Sequence, residues 1–195
     1  MTLDIPAGEF AGYIFDCDGT LIDTMPLHFL AWSEALRTLG ARTPLDEDRF
    51  YSLGGVPTRR VAELFVAHHA VAAQPVELFH LKESLFVKSL SGVKLIEPVI
   101  AFARGVAKTH PVSVASGGPR DVVNRSLQLA GLADLFPIVI TADDVIHGKP
   151  APDMFLLAAE KMGVEPKRCL VFEDAEPGVQ AAQAAGMQFV RVASR

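Results

Sequence analysis

Two aspartates separated by one residue, Asp16 and Asp18, close a short apolar run, Tyr13-Ile14-Phe15, and Gly19 and Thr20 follow at once. A short β-prone run punctuated by glycine reads as a buried strand opening into a loop. Side chains at i and i+2 of a strand point to the same side, so the two carboxylates emerge together. Paired carboxylates at the end of a buried strand repel each other and are costly without something positive between them. A hard cation that prefers oxygen ligands, such as Mg²⁺, supplies that charge. The alternative is a pair of aspartates that caps the next helix and binds nothing.

Three further polar groups follow apolar, strand-like runs. Ser116-Gly117-Gly118 comes after Val112–Ala115 and opens a helix; a hydroxyl and free backbone N–H groups at a helix start suit phosphate oxygens, or serve only as an N-cap and turn. Lys149 stands among Gly148, Pro150 and Pro152, a stiff loop that would hold an ammonium in place rather than leave it solvated. Glu173-Asp174 ends Cys169–Phe172, either as metal ligands or as acids placed favourably before a helix.

The elements that must position these groups are short apolar strands alternating with helices. The strands read as 11–16, Val112–Ala115, Ile138–Ile140, Cys169–Phe172 and Gln188–Val192. The helices between them read as Glu97–Lys108, Pro119–Ala130, Pro152–Met162 and Glu176–Ala185. This alternation predicts an α/β fold with a doubly wound parallel sheet, whose ligands sit beyond the carboxyl ends of the strands. No strand is expected between 21 and 93. There the apolar spacing is helical: Trp32, Ala35, Leu36 and Leu39; then Val61, Leu64, Phe65 and His68; then Leu78, Leu81 and Leu85, with Phe86 beside them. The expected division is a core of residues 1–20 and 94–195 with an inserted helical bundle over 21–93. Residues 1–10, broken by Pro6 and Gly8, read as a short leader.

Asp-Cys-Asp-Gly-Thr-Leu-Ile-Asp at 16–23 resembles the first motif of the haloacid dehalogenase superfamily. Ser116, Lys149 in its Lys-Pro-x-Pro-Asp setting, and Glu173-Asp174 resemble the second, third and fourth motifs, in order. The resemblance covers nearly the whole chain from Gly12 and implies a Rossmann-like core with a small α-helical cap. It implies Asp16 as a nucleophile that becomes an aspartyl phosphate, and Asp18 as general acid/base whose main-chain carbonyl also binds Mg²⁺. Ser116 with the amides of Gly117 and Gly118 would hold the phosphoryl group, Lys149 would counter its charge, and Asp174 with Glu173 would complete the metal site. Proton donation by Asp18 calls for a raised pKa, expected from desolvation under a closed cap.

The segment from Thr24 to Trp32 looks like the start of the cap in the β-phosphoglucomutase and sugar-phosphate phosphatase branch. By that resemblance His28 sits near Asp18 and the leaving group; the alternative is a histidine on a helix surface. Gly54-Gly55-Val56-Pro57-Thr58-Arg59-Arg60 resembles the branch's specificity loop, with one of Arg59 and Arg60 facing the substrate. Lys82 aligns with a cap lysine that touches substrate, though it also suits an ordinary helix surface. Thr20, counted on the substrate side, stands where the mutase would carry an aliphatic residue. The expected activity is therefore a Mg²⁺-dependent phosphatase acting on small sugar phosphates, similar to fructose-1-phosphatases. The rivals are a sugar phosphomutase and, from another class, a receiver-like phospho-acceptor domain, which needs no long helical insert.

The bulk properties agree. The formal net charge is −5 with no basic block, which argues against a nucleic-acid partner. No apolar run approaches the length of a membrane span, and Met1–Gly12 lacks the pattern of a secretory signal. The two cysteines, Cys17 and Cys169, read as buried free thiols in a reducing cytoplasm, and no Cys/His cluster suggests zinc. A monomer is expected.

Overall fold

The computed structural model describes residues 2–193; Met1 of the expected leader and Ser194 and Arg195 of the expected core lie outside the described residues. In chain order the elements are β1 (Gly12–Phe15), α1 (Met25–Thr38), α2 (Glu47–Ser52), α3 (Thr58–His69), α4 (Pro75–Ser89), α5 (Glu97–Val106), β2 (Val112–Ser116), α6 (Arg120–Leu129), β3 (Ile138–Thr141), α7 (Asp153–Met162), β4 (Cys169–Glu173), α8 (Glu176–Ala184) and β5 (Gln188–Arg191). None of the described helices is long and apolar enough to cross a membrane.

The five strands form one parallel sheet in the order β3-β2-β1-β4-β5. Its central strands are buried on both faces, which is why they read as unbroken apolar runs. Alternation sorts their side chains. Tyr13, Phe15, Val112, Val114, Leu170 and Phe172 face α5 and α6, while Ile14, Ala115, Cys169 and Val171 face α7 and α8. Phe15 stacks on Phe172 with ring centroids 4.7 Å apart. Both cysteines are buried and unpaired, as expected. β1 pairs with both β2 and β4, so the chain reverses its winding direction there, and the crevice lies beyond the carboxyl ends of these three strands.

Helices α1 to α4 share a second core containing Trp32, Leu36, Phe50, Val61, Phe65 and Leu78. The helical periodicity is real, but two of the expected faces are turned. In α3 the buried residues are Val61, Ala62, Phe65 and His69, so His69 and not His68 faces inward, where its Nδ1 lies 3.0 Å from Thr43 Oγ1. In α4 the buried face is Leu78, Phe79, Lys82, Glu83 and Phe86 rather than Leu78, Leu81 and Leu85. That helix packs against both α1 and α3 and also meets α6, so its inward face is wider than one leucine stripe. Phe86 and Leu90 join Ala31 and Val122 in a small cluster that ties this unit to the sheet domain. Helix α2 has no counterpart in the expected elements. Its six residues are too few to show a period, and its start is marked by Asp46, whose Oδ1 accepts from the Arg49 amide at 2.7 Å.

Candidate active site

The strand ends bring the expected polar groups together. Asp16 continues β1 and is 3% exposed. Lys149, from the loop before α7, donates to Asp16 Oδ1 and to Glu173 Oε2, both at 2.6 Å. Glu173 Oε1 accepts from the Ala175 amide at 3.1 Å, and the Lys149 ammonium lies 5.1 Å from the Phe155 ring centroid. Burial alone would lower the lysine's pKa, but Asp16 and Glu173 outweigh it and hold the ammonium charged. The Asp16 carboxyl is pushed well above its ordinary value by burial and then by Glu173, with Lys149 opposing.

Four carboxylates, Asp16, Asp18, Glu173 and Asp174, come close together here, and the buried Lys149 ammonium contacts two of them, Asp16 and Glu173. Oxygens of Asp16, Glu173 and Asp174 lie within 4.8 Å of one another. An all-oxygen set with surplus negative charge fits a hard divalent cation. Gly19 keeps the space beside it open. Its φ is +91°, and a Cβ at that position would run into the Asp174 carboxylate.

Asp18 turns to the helical side. It accepts from Thr24 Oγ1 at 2.6 Å, and its Oδ1 lies 3.1 Å from His28 Nε2. The His28 ring stacks on Phe86 with centroids 3.7 Å apart, so this is no surface histidine. Burial would raise the Asp18 pKa as the sequence suggested, but His28, Thr24 and Lys82 more than offset it and hold it at about 2. The expectation of a raised value is therefore corrected: desolvation acts, and the hydrogen-bonded neighbours win. His28 itself is held below its ordinary value by burial and by Lys82.

Ser116, Gly117 and Gly118 line the cleft at the end of β2, and Ser116 Oγ accepts from the Gly118 amide at 3.2 Å. Gly117 is also where the helical unit touches the sheet domain. Its carbonyl accepts from the Thr58 amide at 3.2 Å, and a Cβ there would collide with the Gly55 carbonyl. The cleft so enclosed measures about 70 Å³, with Asp16, Asp18 and Ser116 below and His28, Trp32, Lys82 and Glu83 above.

Lys82 is 1% exposed and faces this cleft, so the helix-surface alternative falls. Two other expectations are corrected: Thr20 on the substrate side, and one of Arg59 and Arg60 facing the cleft. Thr20 is fully buried behind the site and donates to Asp174 Oδ1 at 3.3 Å, so it supports a carboxylate instead of lining the cleft. Arg59 and Arg60 point away. Thr58 and Val61, three apart at the start of α3, take the cleft-facing positions, which turns 59 and 60 outward. The Arg59 guanidinium lies 4.3 Å from the Phe79 ring centroid, and Arg60 pairs with Glu63 on the surface. Two groups of the site were not singled out from sequence: Thr24, buried behind Asp18, and Glu83, which lines the cleft. Thr24 carries the N-cap signal of a helix start, and Glu83 differs from any surface glutamate only by its neighbour Lys82.

A profile of the haloacid dehalogenase-like hydrolases matches residues 10–186. The chain belongs to that family, and its enzymatic class is that of the phosphatases. It is 39% identical to the fructose-1-phosphate phosphatase YqaB of Escherichia coli, over 94% of this chain and 97% of that one. It is 31% identical to hexitol phosphatase A of the same organism, over 93% and 82%. The structure of CbbY from Rhodobacter sphaeroides in complex with phosphate superposes with a TM-score of 0.82 at 23% identity, covering 92% of this chain and 84% of that one, which is a likeness of fold.

Proposed function

We propose that this chain is a Mg²⁺-dependent phosphatase of small sugar or sugar-alcohol phosphates that works through an aspartyl phosphate on Asp16. The observation that carries the reading is the placement of Asp16, buried at the floor of the cleft, with Lys149 at 2.6 Å and an acidic cluster beside it. The named activities of the two similar Escherichia coli phosphatases support the substrate class.

Asp16 and Asp174, with Glu173 beside them and the Asp18 carbonyl as the resemblance implies, would hold the cation. Bound there, Mg²⁺ supplies positive charge against the equatorial phosphoryl oxygens. The protein's own groups do the rest. One Asp16 oxygen attacks phosphorus and the ester oxygen leaves, taking a proton from the Asp18–His28 pair, whose proton affinity the negative charge of the bound phosphate raises above that of the empty site. Asp18 then takes a proton from the water that cleaves the acyl phosphate, releasing inorganic phosphate and regenerating Asp16. Lys149, the Ser116 hydroxyl and the amides after β2 neutralise and orient the transferred group. Helices α1 to α4 act as the cap. Their contact at Gly117 lies over the cleft, and opening of this cap would admit substrate.

Phosphate release measured with and without Mg²⁺ on a panel of hexose, hexitol and sugar-acid phosphates tests this. Mg²⁺-dependent release from hexose or hexitol phosphates is the expected result. Silence across the panel overturns the reading, and conversion of β-glucose 1-phosphate into glucose 6-phosphate with little free phosphate would replace it with a mutase.

A further inference from the structure

The roof of the cleft holds one charged pair among apolar and aromatic side chains. Lys82 and Glu83 are adjacent on α4, and both are more than nine-tenths buried. Lys82 Nζ donates to Glu83 Oε1 at 3.1 Å. The ammonium lies 4.8 Å from the Phe86 ring centroid and 5.4 Å from that of Trp32. The other Glu83 oxygen, Oε2, is buried without a hydrogen-bond partner among the described residues, and Glu83 lines the cleft. A buried carboxylate oxygen left unsatisfied is costly, and a donor entering the cleft removes that cost.

The charge balance narrows what that donor is. Lys82 is already matched by Glu83, and Arg59 and Arg60 lie outside the cleft. His28 is engaged with Asp18. Among the described residues the roof therefore presents no uncommitted cation, and its unsatisfied atom is a negative one. A second phosphate or a carboxylate on the leaving group would meet Oε2 with no compensating charge, whereas a hydroxyl would donate to it.

We propose that Glu83 is a specificity-determining residue of the cap: its Oε2 accepts a hydrogen bond from a hydroxyl of an uncharged, polyhydroxylated leaving group, and with Lys82 it excludes leaving groups that carry a second anion. This rests on the sugar-phosphatase reading and narrows it to monophosphates of neutral sugars or sugar alcohols. Glu83 selects through an acceptor, so the discrimination is one that pocket size alone does not provide.

Binding to the full-length Asp16→Asn protein in Mg²⁺, measured by calorimetry, tests the inference without turnover. The probes are fructose 1-phosphate, a hexitol phosphate, 6-phosphogluconate and fructose 1,6-bisphosphate. The two neutral-headed monophosphates are expected to bind at least about tenfold more tightly than the two with an extra anion. Adding Glu83→Gln is expected to shrink that preference to about threefold or less, because the acceptor is weakened and Lys82 is left without its counter-charge. Equal affinities in the Glu83 background overturn the proposal, as does a preference unchanged by Glu83→Gln, or no binding of any probe. If Glu83→Gln does not fold, judged by its melting temperature, the preference in the Glu83 background decides alone. Phosphate release by the unaltered enzyme judges the phosphatase reading separately: that reading falls on silence there even when the binding preference stands.

Discussion

The floor of the cleft and its roof differ in how they hold charge. On the sheet side, Asp16, Glu173, Asp174 and Lys149 come from three separate strand ends or loops, and one ammonium holds Asp16 and Glu173 by 2.6 Å contacts. On the helical side a single adjacent pair, Lys82–Glu83, sits among aromatic rings and leaves one oxygen unsatisfied. The floor carries surplus negative charge, which the proposed Mg²⁺ would balance. The roof is neutral as a pair and lacks only a hydrogen-bond donor. On the proposed reading this separates two tasks: the floor would carry out phosphoryl chemistry whatever the alcohol, and the roof would select the alcohol.

The largest effects should come from breaking the floor. Asp16→Asn is expected to lower the rate of phosphate release by at least about 10⁴-fold while the circular dichroism stays unchanged. An active Asp16→Asn enzyme would end the nucleophile assignment. Lys149→Met leaves Asp16 and Glu173 buried without their counter-charge. It is expected to cost about 3–5 kcal/mol in urea unfolding, since removing one partner of a buried pair strands the other. Wild-type stability in that variant would mean that the floor relaxes its charges by another route.

The seam between floor and roof sharpens the comparison. Gly117→Ala puts a methyl group against the Gly55 carbonyl and lifts the cap without touching the acids. Its kcat/KM on a sugar phosphate should fall by about 10- to 100-fold through misplacement alone, with little change in melting temperature. A normal kcat/KM would show that the cap does not need this contact to work.

Smaller effects lie away from the cleft. The Cys17 thiol is raised well above its ordinary value by burial and the nearby carboxylates, and burial raises Cys169 to about 11. Neither should react with a thiol reagent at neutral pH in the native protein, and both should after unfolding. The unfolded chain releases the Cys169 proton near 9.0 and the folded chain holds it to about 11. The stability this thiol contributes is thus fully present below 9 and is lost as the pH rises through the folded value. Urea melts on either side of that window check the sign. Arg60→Ala, which removes only a surface pair with Glu63, should change neither kcat/KM nor melting temperature measurably. A loss of substrate affinity there would return Arg60 to the cleft.

Most of the sheet was legible in the sequence, because strands buried on both faces must be apolar throughout and end where glycine and acids begin. Asp16, Ser116, Lys149 and Glu173 were legible for the same reason, since each stands where such a strand or a stiff loop stops. The helical unit was less so. A leucine stripe marks one face of a helix, but α4 has neighbours on more than one side, and its buried face is Leu78, Phe79, Lys82, Glu83 and Phe86. Arg59 and Arg60 carry the residue type that suits a phosphorylated substrate, yet the phase of α3 turns them out.

The sequence by itself determined the fold class and the placing of the floor's acids at strand ends, because period, punctuation and residue chemistry along the chain are local properties, and its motifs carried the resemblance to the family. Tertiary structure alone decided the roof. Whether Lys82 is solvated or sealed between Trp32 and Phe86, whether Asp18 is raised by burial or lowered by His28 and Thr24, and whether Thr20 meets substrate or props Asp174 each depend on what another segment places within a few ångströms. Hydrogen bonds and charge interactions at that range are set by packing between distant segments, and no local pattern encodes them.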